Sequence, residues 1–498
     1  MSVMAPEAGD IEAVLVSNRG PVSFEARSDG SFGTERGAGG LAGALDPVAR
    51  ELGDAATWIA AATSEDDRKA IVAGVLDDMP EKLGYELRLL DIDDRTYTRY
   101  YNDVANRMLW FAMHCLFEEL DVHEFGRQEL AAWDEAYEPV NQRFAEAAAE
   151  AAGPEAFVLI QDYHLTTAPQ RLRAARPEQT ILHFTHSSFC GPQGLDMLPG
   201  PIPKTIVQGM LGADLVGFHV SPWARAFLDA CERIGANVDR DKGLVEHDGR
   251  RSWVRAYPIP VHPDELQERA RGDSARAWAD RFLEGINGPL VVRADRSEPS
   301  KNIVRGFEAF GLLLDRRRDL RDARFVACLY PSRQEVPEYR RYMQQIHESV
   351  MQVNHRHPGS ISLIMENDYD RTLGALLVYD VLLVNSIMDG MNLVSKEGAI
   401  VNERDGALVL SRLAGSFDEL GDHSIELDDP LSVEQTSNAL QAAIDMPQAE
   451  RSQNAEALKR AVRASRPEGW IEAQLEDLAE IKAGQEPKSA APSPEQGG

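Results

Sequence analysis

The chain has 498 residues, with 52 Lys and Arg against 81 Asp and Glu, a formal net charge of −29. A balance this negative repels phosphodiester backbones and anionic lipid, which excludes nucleic acid and membrane surfaces as expected partners. Any anionic ligand must therefore be met by a local basic cluster. At roughly 100–200 residues per domain the length predicts about two to four domains, and 43% apolar residues suffice for real cores.

Residues 1–10 have neither a basic nor an apolar run and are expected to be flexible. From there, short apolar runs recur at 13–17, 57–61, 86–90, 157–162, 180–185 and 215–220. They resume at 290–293, 324–329, 362–365, 381–384 and 407–411. Several are apolar on both faces, as strands buried in a parallel sheet must be, and segments such as 302–317 and 338–353 between them carry helical spacing. The alternation predicts an α/β fold of two Rossmann-like, doubly wound parallel-sheet domains facing a cleft. Pro258, Pro260 and Pro263 prevent regular structure and mark the boundary, giving domains at 11–257 and 258–469. A C-terminal helix is expected over 470–484, and the Pro/Ser/Gly/Gln-rich stretch 485–498 is expected to be disordered.

Cys115, Cys190, Cys231 and Cys328 form no C-x-x-C pair, so neither a disulfide framework nor a thiolate metal site is expected. No apolar run approaches the roughly 18–20 residues of a spanning helix. The expected location is the cytoplasm.

The glycines of Gly37-Ala38-Gly39-Gly40-Leu41-Ala42 fit G-x-G-x-x-A. A dinucleotide fingerprint follows its strand directly, whereas about twenty residues intervene here, which argues against an NAD(P)-dependent oxidoreductase. What remains is backbone able to approach a phosphate or sugar at a helix start. Arg19, in Ser17-Asn18-Arg19, and Asp162 and His186 all stand at carboxyl ends of predicted strands, the edge where open α/β sheets bind ligands. Acid and imidazole at neighbouring strand ends can orient hydroxyls or exchange protons.

In the second half Arg296 and Lys301 lie between a strand and a helix, and Arg333 follows the next strand. Fixed cations there suit a diphosphate leaving group, which gains charge as its bond breaks. Asp295 and Glu298 are close enough to neutralise them instead. Asp389-Gly390-Met391-Asn392-Leu393-Val394 leads into a helix carrying Glu397, whose N-terminal N–H groups can cap a phosphate while the acid accepts from a ribose hydroxyl.

Taken in order, Ser17-Asn18-Arg19, Gly39-Gly40-Leu41, Tyr100-Tyr101-Asn102 with Leu109-Trp110, Asp162-Tyr163-His164, and Asp389 to Val394 with Lys396-Glu397 resemble the trehalose-phosphate synthase family of retaining glycosyltransferases, across roughly residues 11–480. The resemblance implies an N-terminal acceptor-binding domain, with the sugar-phosphate acceptor held through Arg19, Tyr101, Trp110 and Asp162 and through Arg333 of the C-terminal domain. It implies a C-terminal domain holding a UDP-, GDP- or ADP-glucose donor through Arg296, Lys301, Arg371, Gly390, Met391, Asn392, Leu393, Val394 and Glu397. Gly39, Gly40 and Leu41 would complete the nucleotide-sugar site, and His186 and Asp389 would contact the donor sugar. Asp162, His186, Arg296, Lys301 and Asp389 form the implied catalytic set, with no metal and no cofactor beyond the donor. The implied reaction moves glucose to glucose 6-phosphate with retention. Self-association into a homo-oligomer stays open.

Three departures border the implied pockets. His186-Ser187-Ser188-Phe189-Cys190 replaces His-Ile-Pro-Phe-Pro, Asp295-Arg296-Ser297-Glu298-Pro299-Ser300-Lys301 replaces Glu-Arg-Leu-Asp-Tyr-Ser-Lys, and Met388 replaces an Arg. They resemble the pseudo-glycosyltransferase branch, which joins a cyclitol to an amino-cyclitol phosphate; glucosylglycerol-phosphate synthesis is a further alternative. Arg19, Arg296, Lys301 and Arg333 are expected to form a small basic focus in an acidic protein.

Overall fold

The computed structural model describes residues 11–36, 40–119 and 125–493. The chain separates into two compact units. The first runs to Ile259, apart from a short stretch beginning at Glu118, and takes in the chain again from Glu468; the second is Pro260–Pro467 with that stretch.

In the first unit the strands are β1 (Ala13–Val16), β2 (Val22–Ala26), β3 (Phe32–Arg36), β4 (Ala56–Ala61), β5 (Glu86–Leu90), β6 (Phe157–Gln161), β7 (Thr180–Thr185), β8 (Leu215–Phe218), β9 (Asn237–Asp239), β10 (Leu244–His247) and β11 (Arg250–Ala256). Nine of them form one sheet in the order β5-β4-β1-β6-β7-β8-β11-β10-β9. It is parallel from β5 to β11, and β9 and β10 add an antiparallel edge. Every residue of β1, β6, β7 and β8 is buried, which only a sheet covered on both faces allows. The chain winds outward from β1 to β5 and restarts at β6 on the other side of β1. The carboxyl ends of β1 and β6 thus form a topological switch point.

The interval between β1 and the glycines is filled by the β2–β3 hairpin, tied down where Phe24 N donates to Asp67 Oδ1 (2.8 Å). That is why Gly40, first residue of the helix Gly40–Leu52, does not follow β1 directly. Gly39 lies outside the described residues.

The second unit contains β12 (Leu290–Arg296), β13 (Arg324–Tyr330), β14 (Ile361–Met365), β15 (Val381–Val384), β16 (Ala407–Ser411) and β17 (Ile425–Leu427). All pair in parallel in the order β14-β13-β12-β15-β16-β17. Renumbered within the unit this is 3-2-1-4-5-6, the order of the dinucleotide-binding fold, with its switch point between β12 and β15. Leu290, Val292 and Ala294 face a core shared with the helices Asp273–Leu283 and Tyr369–Val378. Val291 faces the opposite core with the helices Ile303–Arg316 and Val433–Asp445. No helix among the described residues is long and apolar enough to cross a membrane.

The helix Gly469–Lys482 belongs to the first unit, with Trp470 and Leu478 buried in it. Residues 485–493, for which composition suggests disorder, form no helix or strand but are held in place. Arg255 Nε donates to Ser489 O (2.9 Å), Ser489 N to Asp477 Oδ1 (3.0 Å), and Lys242 pairs with Glu486 (2.7 Å). Main-chain groups and a buried guanidinium supply this hold, so a composition poor in apolar residues does not register it. Residues 1–10 and 494–498 lie outside the described residues.

Candidate functional site

At the first switch point, four of the expected positions form one connected series through His164. Arg19 Nη2 donates to Tyr101 OH (3.0 Å), with its guanidinium 5.6 Å from the ring centre. Tyr101 stacks on Tyr97 (5.5 Å) and on His164 (5.7 Å). His164 Nδ1 lies 3.5 Å from Asp162 Oδ2, and the backbone N of His186 donates to Asp162 Oδ1 (3.2 Å). Gln161 Oε1 is 2.8 Å from His186 Nε2. Tyr101 is carried on a π-helical stretch, Arg99–Leu109, a rare geometry concentrated at functional sites. Trp110, expected beside these rings, is buried against His114 (4.2 Å) and Phe111 (5.3 Å).

Burial alone would raise the Asp162 carboxyl, but its contacts to His164 and His186 outweigh that and hold it well below the usual range. Burial pushes His186, and His183 on β7, down to about 4 against the opposing pull of Asp162. His186 is thus a neutral ring near pH 7.

A pH dependence of stability follows. His183 is fully buried, and burial lowers its pKa from 6.5 to about 4 against the opposing pull of Asp162. The unfolded chain takes up its proton first on acidification, so this contribution is complete above pH 6.5 and lost towards pH 4. The shift corresponds to about 3 kcal/mol. A thermal-melting series from pH 7.5 to 4 should show a steep fall, shallower in His183→Leu. Parallel curves would remove His183 as the cause.

At the second switch point Arg296 is the last residue of β12 rather than a loop residue, and Lys301 ends a short 3-10 turn, Pro299–Lys301. Lys301 Nζ meets Asp389 Oδ2 at 2.5 Å, and Asn392 Nδ2 (3.0 Å) and Ser386 Oγ (3.3 Å) donate to the same oxygen. Burial lowers the Lys301 pKa, but Asp389 and Asp295 outweigh it, so the net direction is upward and the ammonium stays charged. Arg296, half-exposed, pairs with buried Glu298 (3.0 Å). Arg333 shares that carboxylate (3.8 Å) and donates to Tyr339 OH (2.5 Å). The neutralisation anticipated from Asp295 and Glu298 is therefore partly realised: Glu298 engages two arginines, while Asp295 is taken by Arg293.

Arg293 was not anticipated. Its guanidinium, 1% exposed, donates to Asp295 Oδ2 (2.7 Å), Asn385 Oδ1 (3.2 Å) and Lys301 O (2.7 Å), linking the ends of β12 and β15 to the Lys301 turn. A Cβ on Gly306 would stand 2.7 Å from its Nη1, so the following helix needs glycine there.

Asp389, Gly390, Met391 and Asn392 form the loop into the helix Leu393–Val401, and Asn392 Oδ1 caps it by accepting from Ser395 N (3.1 Å). Gly415 N donates to Asp389 O (3.1 Å) and Ser416 N to Met391 O (2.7 Å), fixing the loop against the one after β16. Leu393 and Val394 pack on the core, and Glu397, pushed up by burial, accepts from Tyr369 OH (3.2 Å). Arg371 is drawn elsewhere, to Glu366 (2.6 Å), Asp368 (3.5 Å) and the face of Trp278 (4.2 Å). Among the described residues, four of the seven non-glycine positions with positive φ are Asp162, Asn302, Arg333 and Asn392, so backbone strain gathers at these strand ends. No group of three or more His, Cys, Asp or Glu among the described residues is arranged to hold a metal.

Two Rossmann-type sheets, one with cations and a capped helix start at its switch point, suit the binding of a nucleotide diphosphate. The pattern of glycosyltransferase family 20 matches residues 11–480. The chain is 34% identical over 497 residues to a trehalose-6-phosphate synthase of Mycobacterium sp. (strain KMS), covering 96% of this chain and 97% of that one. Against the trehalose-6-phosphate synthase of Mycobacterium tuberculosis (strain ATCC 25618 / H37Rv) it is 33% identical, with 95% of each covered. A solved α,α-trehalose-phosphate synthase (UDP-forming) from Burkholderia vietnamiensis is similar with TM-score 0.80 at 27% identity, covering 95% of this chain and 98% of that one. The corresponding Burkholderia xenovorans enzyme, solved in complex with glucose-6-phosphate, gives TM-score 0.77 at 25% identity, covering 94% and 100%. The chain belongs to glycosyltransferase family 20.

Proposed function

We propose that this glycosyltransferase moves glucose from a nucleoside-diphosphate glucose to glucose 6-phosphate in the cytoplasm, giving α,α-trehalose 6-phosphate with retained configuration. The observation that carries the reading is the Lys301–Asp389 pair beside Arg296, at the switch point of a 3-2-1-4-5-6 sheet. The names of its relatives supply the substrate class.

Arg296 and Lys301 bind the diphosphate, which gains charge as the glycosidic bond breaks and is then held more strongly. The N–H groups at the Leu393 helix start add their partial positive charge. Glu397 accepts from the ribose, and His186 and Asp389 orient the donor sugar. Arg19, Tyr101, Trp110 and Asp162 hold the acceptor. The acceptor hydroxyl attacks on the face from which the diphosphate leaves, and a departing phosphate oxygen takes its proton. No cofactor beyond the donor is needed.

Incubation with glucose 6-phosphate and each of UDP-, GDP- and ADP-glucose should release nucleoside diphosphate and a disaccharide phosphate with at least one donor. Absence of both with all three overturns the reading. Turnover only with glycerol phosphate or an amino-cyclitol phosphate as acceptor would replace its acceptor half.

A further inference from the structure

His186 is walled by rings at ring-centre distances of 4.8 Å (Phe184), 5.1 Å (His219) and 6.1 Å (Trp470). Phe184 and His219 belong to the sheet and the turn after β8, whereas Trp470 comes from the C-terminal helix. Trp470 is 5% exposed, its edge meets Phe184 (5.3 Å), and its Nε1 donates to Tyr257 O (3.0 Å).

The same helix is bound at a second point. Asp477, buried, accepts from Tyr257 OH at Oδ2 (2.6 Å) and from Ser489 N at Oδ1 (3.0 Å). Ser489 O in turn accepts from Arg255 Nε (2.9 Å), whose guanidinium also donates to Val254 O (2.8 Å) and Lys242 O (2.9 Å). A continuous series therefore runs from the segment 485–493 through Asp477 and Tyr257 to Trp470 and the His186 ring. The family match ends at residue 480, so the segment lies beyond it.

We propose that Trp470 is a positioning residue for His186, and that the segment 485–493 braces Trp470 by fixing Asp477 and Tyr257. The physical need is clear. Gln161 Oε1 restrains only one nitrogen of an imidazole at a strand end, and the ring can swing about that contact unless packed on its faces. A displacement near 1 Å in a substrate-contacting group can cost about 100-fold in rate. The catalytic consequence rests on the reading of His186 as a donor-sugar contact; the positional one does not.

The test uses full-length protein with ring-labelled histidine, following the His186 signals by NMR alongside donor turnover. Trp470→Leu should shift or broaden those signals and lower kcat about 10-fold with a smaller change in KM. Ser489→Pro, which removes the N–H held by Asp477 and also fixes the backbone φ there, should move both in the same direction by about 3-fold in kcat. If Trp470→Leu does not fold, Trp470→Phe, lacking the Nε1–H donor, is read in the same way. Unchanged His186 signals in the folded variants overturn the proposal, whatever happens to turnover. Normal turnover in His186→Ala would instead remove the donor-contact reading and leave the positional result standing.

Discussion

Lys301→Ala is expected to lower kcat/KM about 10²–10³-fold, the usual loss when a fixed group facing developing transition-state charge is removed from a sheltered site. Two effects act together. The diphosphate loses its deepest cation, and Asp389 loses the ammonium that faces it while keeping the neutral donors of Asn392 and Ser386, so its charge opposes the incoming phosphates. Arg296→Ala should cost less in kcat and more in KM, because Arg296 is 45% exposed and already shares Glu298 with Arg333. Lys301→Arg should not restore the rate, since a planar guanidinium cannot take the position of an ammonium 2.5 Å from Asp389 Oδ2. Nucleoside-diphosphate release, measured at saturating and limiting donor, separates the two constants. A loss under 3-fold for Lys301→Ala would place the diphosphate elsewhere.

The strands that position these groups were legible because they are the most apolar. β6 reads Phe-Val-Leu-Ile-Gln and β15 Val-Leu-Leu-Val, patterns that only a sheet covered on both faces accommodates. Of the strands not foreseen, β9 and β17 have three residues each and β2 and β3 carry exposed polar positions, whereas β11 has seven residues and lies between β8 and β10. One missed hairpin had left a signal. Asp248-Gly249, both at positive φ, make the two-residue turn between β10 and β11, and Asp-Gly flanked by alternating residues marks such turns.

The site was legible to the extent that it follows strand ends, which is how Arg19, Asp162, His186, Lys301 and Asp389 could be chosen. Side-chain destinations were not. Arg371, for example, goes to Glu366 and Trp278. Nor is the basic focus bare: Arg296, Arg333 and Lys301 share Glu298 and Asp389 in the second unit. In an acidic chain these carboxylates hold the cations in fixed geometry before substrate arrives, at the cost of part of their attraction for it.

Arg293 shows most directly what the linear sequence conceals, because within β12 it reads as a strand residue among apolar neighbours. Its replacement by Met, similar in length and uncharged, is expected to destabilise the second unit by about 3–5 kcal/mol, the range for breaking one side of a buried ion pair. Most of that loss comes from Asp295, 7% exposed, which would keep its burial and lose its partner. Burial already holds the Asp295 carboxyl above its ordinary value despite the opposing pull of Arg293 and Lys301, and removing Arg293 shifts it further up. The variant's folded state therefore binds a proton more readily than its unfolded state. Its deficit relative to the parent should shrink as pH falls from 7 to 5. Arg293→Met with Asp295→Asn removes the stranded charge and should recover more than half of the loss. Because the chain has two units, the measurement should combine the urea midpoint with hydrogen-exchange protection of β12 and β15 amides. A deficit below about 1 kcal/mol, or one that grows on acidification, would refute the assignment of a buried ion pair to these residues. The same variant frees Lys301 O and Asn385 Oδ1, so turnover should fall even where the protein remains folded: Arg293 holds the turn from which Lys301 reaches the site.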